Sequence, residues 1–126
     1  MEAKREEIIR HLFSMWLDQK DKGLTEVFAP DGEFIESCNL MYHGAETIAR
    51  WFADWNQELT MKEWTIKQFF HKGDQTVVEW HFRYQDQEGK GDSADGLTRI
   101  DWTEDNRIAR LQEFICPDER RDPYQK

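Results

Sequence analysis

A chain of 126 residues with a formal net charge of -9 and a pI near 4.9 is of single-domain size, and it lacks the clustered Lys and Arg on which phosphate binding rests, so nucleic acid is excluded as a partner. It carries no apolar run near the roughly 20 residues of a membrane span, and its polar start, MEAKREE, lacks the apolar region of a signal peptide. A soluble, cytoplasmic protein with no membrane partner is expected, with Cys38 and Cys116 as free buried thiols rather than a disulfide framework.

Glu2 to Gln19 reads as a helix, because Ile8, Ile9, Leu12, Phe13, Trp16 and Leu17 recur at helical spacing and Glu2, Glu6 and Glu7 occupy the early turns that the helix dipole favours for acids. Lys20-Asp21-Lys22-Gly23 stops it, Leu24, Val27 and Phe28 give a short second helical turn, and Pro30-Asp31-Gly32 reads as a turn. Glu33 to Cys38 alternates. Phe34, Glu36 and Cys38 fall on one side and Glu33, Ile35 and Ser37 on the other, which predicts a short first strand. Asn39 to Gly44 reads as a loop, where Met41, Tyr42 and His43 can gate a pocket. Ala45 to Leu59 predicts a second long helix with Ile48, Ala49, Phe52 and Trp55 on one face and Trp51 at its margin.

From Glu63 onward the pattern is that of a sheet. Trp64 to His71 and a turn at Lys72-Gly73-Asp74 lead into TVVEWHFRY, Thr76 to Tyr84. Val78, Trp80, Phe82 and Tyr84 share one face of that strand, while Val77, Glu79, His81 and Arg83 share the other. After a polar turn, Asp86 to Asp92, the runs Gly96 to Trp102 and Arg107 to Ile115 meet near Asp105-Asn106 and complete an antiparallel meander. Helices first and strands afterwards predict an α+β fold. The tail after Pro117 is expected to face solvent.

The order of these elements, with FAPDGEFIES, HGAETIARWFADW, VVEWHFRY and RIARLQEF, resembles the nuclear transport factor 2-like superfamily and its SnoaL-like and ketosteroid-isomerase-like group over nearly the whole chain. The resemblance implies one SnoaL-like domain over residues 1–126, a cone-shaped curved antiparallel sheet wrapped around the N-terminal helices, and an internal pocket for a small apolar ligand. It also implies a homodimer built on the outer face of the sheet, where Val77 and Phe114 lie. Aligned on FAPDGEFIES, Glu36 takes the position of the acidic general base of ketosteroid isomerases. The tyrosine of those enzymes falls near Leu12 and their second acid near Thr98, and these departures argue against steroid isomerisation.

Two acids are candidate catalytic residues. Glu36 shares a face with Phe34, so it lies either in an apolar pocket, where desolvation raises its pKa toward neutrality, or at a wet mouth. Glu113 shares a face with Leu111 and Ile115, so it is either an inward acid needing a polar partner or an outer-face acid paired with Arg107 or Arg110. Trp16, Trp55 and Trp80, with Phe34 and Phe52, are expected to border one enclosed space as substrate-binding residues. Glu79 and His81 are adjacent on the polar face of that strand, where they either orient an imidazole for acid–base work or simply face outward. No metal is expected, because the four histidines show no close ligand spacing, and no cofactor is expected without a Gly-rich cradle or a nucleophile elbow. The expected function is cofactor-free acid–base catalysis of the isomerase, cyclase or dehydratase type on a small apolar carbonyl compound. The alternative is a non-catalytic ligand-binding or dimerisation module.

Overall fold

The apolar stripe of the first helix goes to the interior as spaced. In the computed structural model, which describes residues 2–125, helix α1 runs Glu2–Asp18 and buries Ile9, Leu12, Phe13, Met15 and Trp16, leaving Leu17 at the surface. Gln19 ends it in the left-handed region at φ 54°, and the Lys20 amide closes back on the Met15 carbonyl at 3.0 Å. A single turn, α2 (Leu24–Val27), leads into strand β1 (Phe28–Ile35), then β2 (Met41–His43), α3 (Ala45–Glu58), β3 (Leu59–Lys72), β4 (Gln75–Asp86), β5 (Gly91–Trp102) and β6 (Ile108–Pro117). No helix among the described residues is long and apolar enough to cross a membrane.

The fold is α+β, with N-terminal helices against one face of a curved, unclosed sheet ordered β2-β1-β6-β5-β4-β3. Four of its five pairings are antiparallel; β1 runs parallel to β6 and makes the sheet mixed. The strand begins at Phe28, five residues before the alternation announces it, because Pro30, Asp31 and Gly32 form an irregularity within β1 rather than a turn that precedes it. Phe28 pairs with Ile108 and Glu33 with Arg110, so β1 carries surplus residues against β6. Gly32 sits at that bulge with the Ile108 carbonyl oxygen 2.9 Å from where a Cβ would stand. The predicted loop at Asn39–Gly44 contains β2, which pairs Phe34 with Tyr42 across a tight turn in which Asn39 adopts φ 72°. Cys38 and Cys116 are free but exposed, because each lies where its strand runs out beyond the cover of the helices.

Strand β4 faces as its alternation requires. Val78 and Trp80 are fully buried and Phe82 nearly so, while Glu79 accepts a hydrogen bond from Gln68 on the outer face. At one end α1 is pinned: buried Arg5 donates to Asn106 Oδ1 at 2.9 Å, to the Gly73 carbonyl at 3.2 Å and to Asp74 at 2.9 Å, and lies 5.4 Å from the Trp102 ring centroid. Trp80 fixes the middle of the sheet. Its Nε1 donates to Thr98 Oγ1 at 2.8 Å, and its ring lies over Gly96, its register partner on β5, where a Cβ would come within 2.4 Å of a ring carbon. A buried indole held by that hydrogen bond has no room to yield. Gly96→Ala should therefore lower stability by about 1–3 kcal/mol through overpacking, read by urea unfolding, whereas a change within about 0.5 kcal/mol would show that the ring is not held there.

Candidate functional site

The helices leave part of the inner sheet face uncovered, and there a cavity of about 300 Å³ opens. Each surrounding element contributes: Trp16 from α1, Phe34 from β1 and Glu36 just beyond its end, Trp51 and Trp55 from α3, Leu59, Met61 and Trp64 from β3, Phe82 and Tyr84 from β4, and Glu113 and Ile115 from β6. Trp51 and Trp55 stand one helical turn apart and present their rings on the same side. Trp64 stacks on Phe13 at 3.9 Å and meets Trp16 and Trp80 edge-on at 5.9 and 5.6 Å, so one wall is a continuous aromatic packing. Its buried Nε1 has no hydrogen-bond acceptor among the described residues.

Two carboxyl groups enter this apolar space under opposite conditions. Glu36 is half-buried, and its Oε2 accepts a hydrogen bond from Tyr42 Oη at 2.8 Å. The pairing of Phe34 with Tyr42 places that phenol on the inner side, where its ring also stacks on Trp51 at 4.5 Å with 15° between planes. Burial, and then the bond to Glu36, push the Tyr42 phenol up to about 12, so it stays a donor. Glu113 follows the inward alternation of Leu111 and Ile115, is 8% exposed, and finds no hydrogen-bond partner among the described residues. Desolvation, with the charge of Glu36 adding, pushes its carboxyl from 4.5 up to about 8. The Tyr84 phenol is also raised, chiefly by burial and then by Asp92.

The structure thus gathers Glu36, Glu113, Trp16, Trp55 and Phe34 around one space. Phe52 and Trp80 stand behind that lining. Phe52 packs edge-on against Trp16 at 4.7 Å, and Trp80 is enclosed between Gly96, Trp64 and Phe82, so both support wall residues without forming the wall. Trp51, placed at the margin of the helix face by its spacing, takes the lining position instead. The residue that sequence reasoning left without a partner is Tyr42: a three-residue strand leaves almost no periodic signal, and only its pairing with β1 turns a loop aromatic into the hydrogen-bond donor to Glu36.

A second group of titratable side chains lies on the outer face. His81, Asp95 and Asp118 bring possible ligand atoms within 4.8 Å of one another. Lys67 and Arg120 already pair with Asp95 at 3.1 and 3.3 Å, and the His81 ring is already bonded to Asp118 and Glu63 at 3.0 and 3.2 Å, which raise its pKa. The cluster is satisfied as a set of ion pairs.

Comparison with known proteins agrees with this architecture. The model of the SnoaL-like domain matches residues 9–111, and the chain belongs to that family. No curated protein matches it in sequence. Among solved structures, a Bacillus subtilis protein carrying the provisional name of isomerase superposes with a TM-score of 0.79 at 18% identity, over 93% of this chain and 90% of that one. A protein from Jannaschia sp. CCS1, provisionally named a SnoaL-like polyketide cyclase, gives a TM-score of 0.73 at 15% identity over 90% and 85%. A protein with a ketosteroid isomerase-like fold from Catenulispora acidiphila DSM 44928, solved in complex with trimethylamine, gives 0.75 at 20% identity over 85% and 83%. At these identities the likeness is one of fold.

The raised carboxyl of Glu113 makes stability depend on pH. Its contribution is fully present below the unfolded value near 4.5 and is lost as pH rises toward about 8, because the unfolded chain ionises first. The loss approaches about 1.4 kcal/mol per pH unit. Glu113→Gln should match the wild type near pH 4 and exceed it by at least about 1 kcal/mol at pH 8 in urea unfolding. A difference that does not change with pH would mean that Glu113 ionises as an ordinary surface acid.

Proposed function

We propose that this SnoaL-like chain is a cofactor-free acid–base enzyme that moves a proton on a small, largely apolar carbonyl compound, in a reaction of the isomerase, cyclase or dehydratase type. One observation carries the proposal: two carboxyls share one aromatic cavity, one held by a phenol and one buried, and burial, with the charge of the first adding, pushes the buried carboxyl up. The Glu36 carboxylate removes a proton from the carbon next to the carbonyl, and the electron pair of that C–H bond moves onto the carbonyl oxygen. Protonated Glu113 donates a hydrogen bond to that developing oxyanion. Return of the proton from Glu36 to carbon, at the same or a conjugated position, restores the enzyme.

The position of the second acid supports this division of labour. Resemblance to ketosteroid isomerases puts their second acid near Thr98, and Glu113 is the register partner of Thr98 on the neighbouring strand. A carboxylic acid thus reaches that region of the sheet from β6 instead of β5. Tyr42 fixes Glu36 in position and does not itself touch substrate. The provisional names of two fold neighbours, an isomerase and a polyketide cyclase, support this reaction class, and the trimethylamine complex is that of a neighbour whose fold takes a small organic molecule.

The assembly proposed with this function is a homodimer on the outer sheet face, where Leu97 and Phe114 are register partners 42% and 47% exposed beside a shallow groove. Light scattering should give about twice 15.2 kDa, and a mass near 15.2 kDa at micromolar concentration would remove the dimer. The catalytic proposal is tested by exchange of α-protons for deuterium in a panel of small cyclic ketones, followed by proton NMR. Wild-type protein should accelerate exchange of at least one ketone, Glu36→Gln should lose about 100-fold or more, and Tyr42→Phe should lose less. Exchange by wild type no faster than by Glu36→Gln across the panel would leave a non-catalytic binding module.

A further inference from the structure

We infer, on the reading of this cavity as the site of a carbonyl substrate, that this compound carries a small alkylammonium head, a tertiary or quaternary amine, next to the carbon from which Glu36 takes its proton. The ionisable side chains in the lining are two carboxyls and one phenol, and among the described residues no Lys, Arg or His lines it. An anionic ligand would therefore meet only like charge, and a cation meets Glu36. The overall charge of -9 favours the approach of the same sign of ligand.

The kind of aromatic surface points the same way. A neutral hydrocarbon is served by Leu, Ile or Phe, but four of the twelve lining residues are tryptophans, Trp16, Trp51, Trp55 and Trp64. The indole face attracts a cation more strongly than any other side chain ring. Tyr42 joins the two features, since the same residue stacks on Trp51 at 4.5 Å and donates to Glu36 at 2.8 Å. Ring and acid are held as one unit.

Glu113 lines the same cavity and is more than nine-tenths buried. A methylated nitrogen suits these surroundings better than a primary ammonium or a guanidinium. Those groups bring three to five N–H donors that need acceptors, and the lining offers few beyond the two carboxyls. Methyl groups on nitrogen spread the charge over a surface that packs against indole, and a space of about 300 Å³ admits a head of that size with a short chain.

The test compares choline with its uncharged isostere, 3,3-dimethylbutan-1-ol, by calorimetric titration of the wild-type protein and by the accompanying change in tryptophan fluorescence. Choline should bind about tenfold or more tightly than the isostere. Glu36→Gln should remove most of that preference with little change for the isostere, and Trp55→Leu should weaken choline about fivefold or more. Should either variant fail to fold, the comparison on wild type still decides. Equal or tighter binding of the isostere, or no binding of choline at millimolar concentration, would overturn the inference. The ketone-exchange assay reads the acid–base proposal separately: choline selectivity without exchange leaves a cation-binding module, and exchange with preference for the isostere leaves an enzyme for neutral substrates.

Discussion

The cavity depends on the seating of one buried indole. Trp80 lies across the backbone of Gly96 and donates to Thr98, which it can do only because β5 presents no Cβ at that point. Trp64 then stands edge-on to Trp80 and flat on Phe13, and Phe82 packs against both tryptophans. These contacts bind α1, β3, β4 and β5 into one rigid wall. With Arg5 pinning the start of α1 to the turns after β3 and β5, the helix covers one end of the sheet and the concave face beyond it stays open.

From β6 the protein brings to the same cavity a group that core packing alone would not select. A carboxyl beside Leu111 and Ile115, without a hydrogen-bond partner among the described residues, lowers stability at neutral pH, where the unfolded chain would ionise it freely. Local rules are broken at functional sites more often than elsewhere, and the cost is balanced by packing in the rest of the domain. Glu36 meets the opposite conditions, with a phenol bonded to it and partial access to water, and in the proposed reaction it is the base while its buried counterpart holds a proton.

Much of this was legible in the sequence because it obeys a period of two. Val78, Trp80 and Phe82 point inward as TVVEWHFRY implies, and the alternation puts Glu113 on one face with Leu111 and Ile115 while leaving open whether that face is the inner one, as the structure has it. Features that depend on pairing were not legible. The bulge at Pro30-Asp31-Gly32 and the parallel match of β1 with β6 have no local signature, and a proline and a glycine in succession mimic a turn. The bond from Tyr42 to Glu36 was hidden for the same reason, although the loop aromatic itself was noted beside a pocket, since β2 is three residues long and acquires meaning only opposite Phe34. Trp51 and Phe52 exchanged expected roles because adjacent helical positions lie about 100° apart, and the packing against Trp16 decides which one faces the core.

The central claim is that Glu113 stays protonated at neutral pH in a cavity it shares with Glu36. Carbon-13 NMR of the side-chain carboxyls, followed from pH 3 to 10 in the wild type and in Glu36→Gln, measures it directly. The account predicts that the Glu113 resonance titrates near 8 and moves to a lower pKa when Glu36 loses its charge. A Glu113 resonance that titrates near 4.5 and does not respond to Glu36→Gln would contradict it.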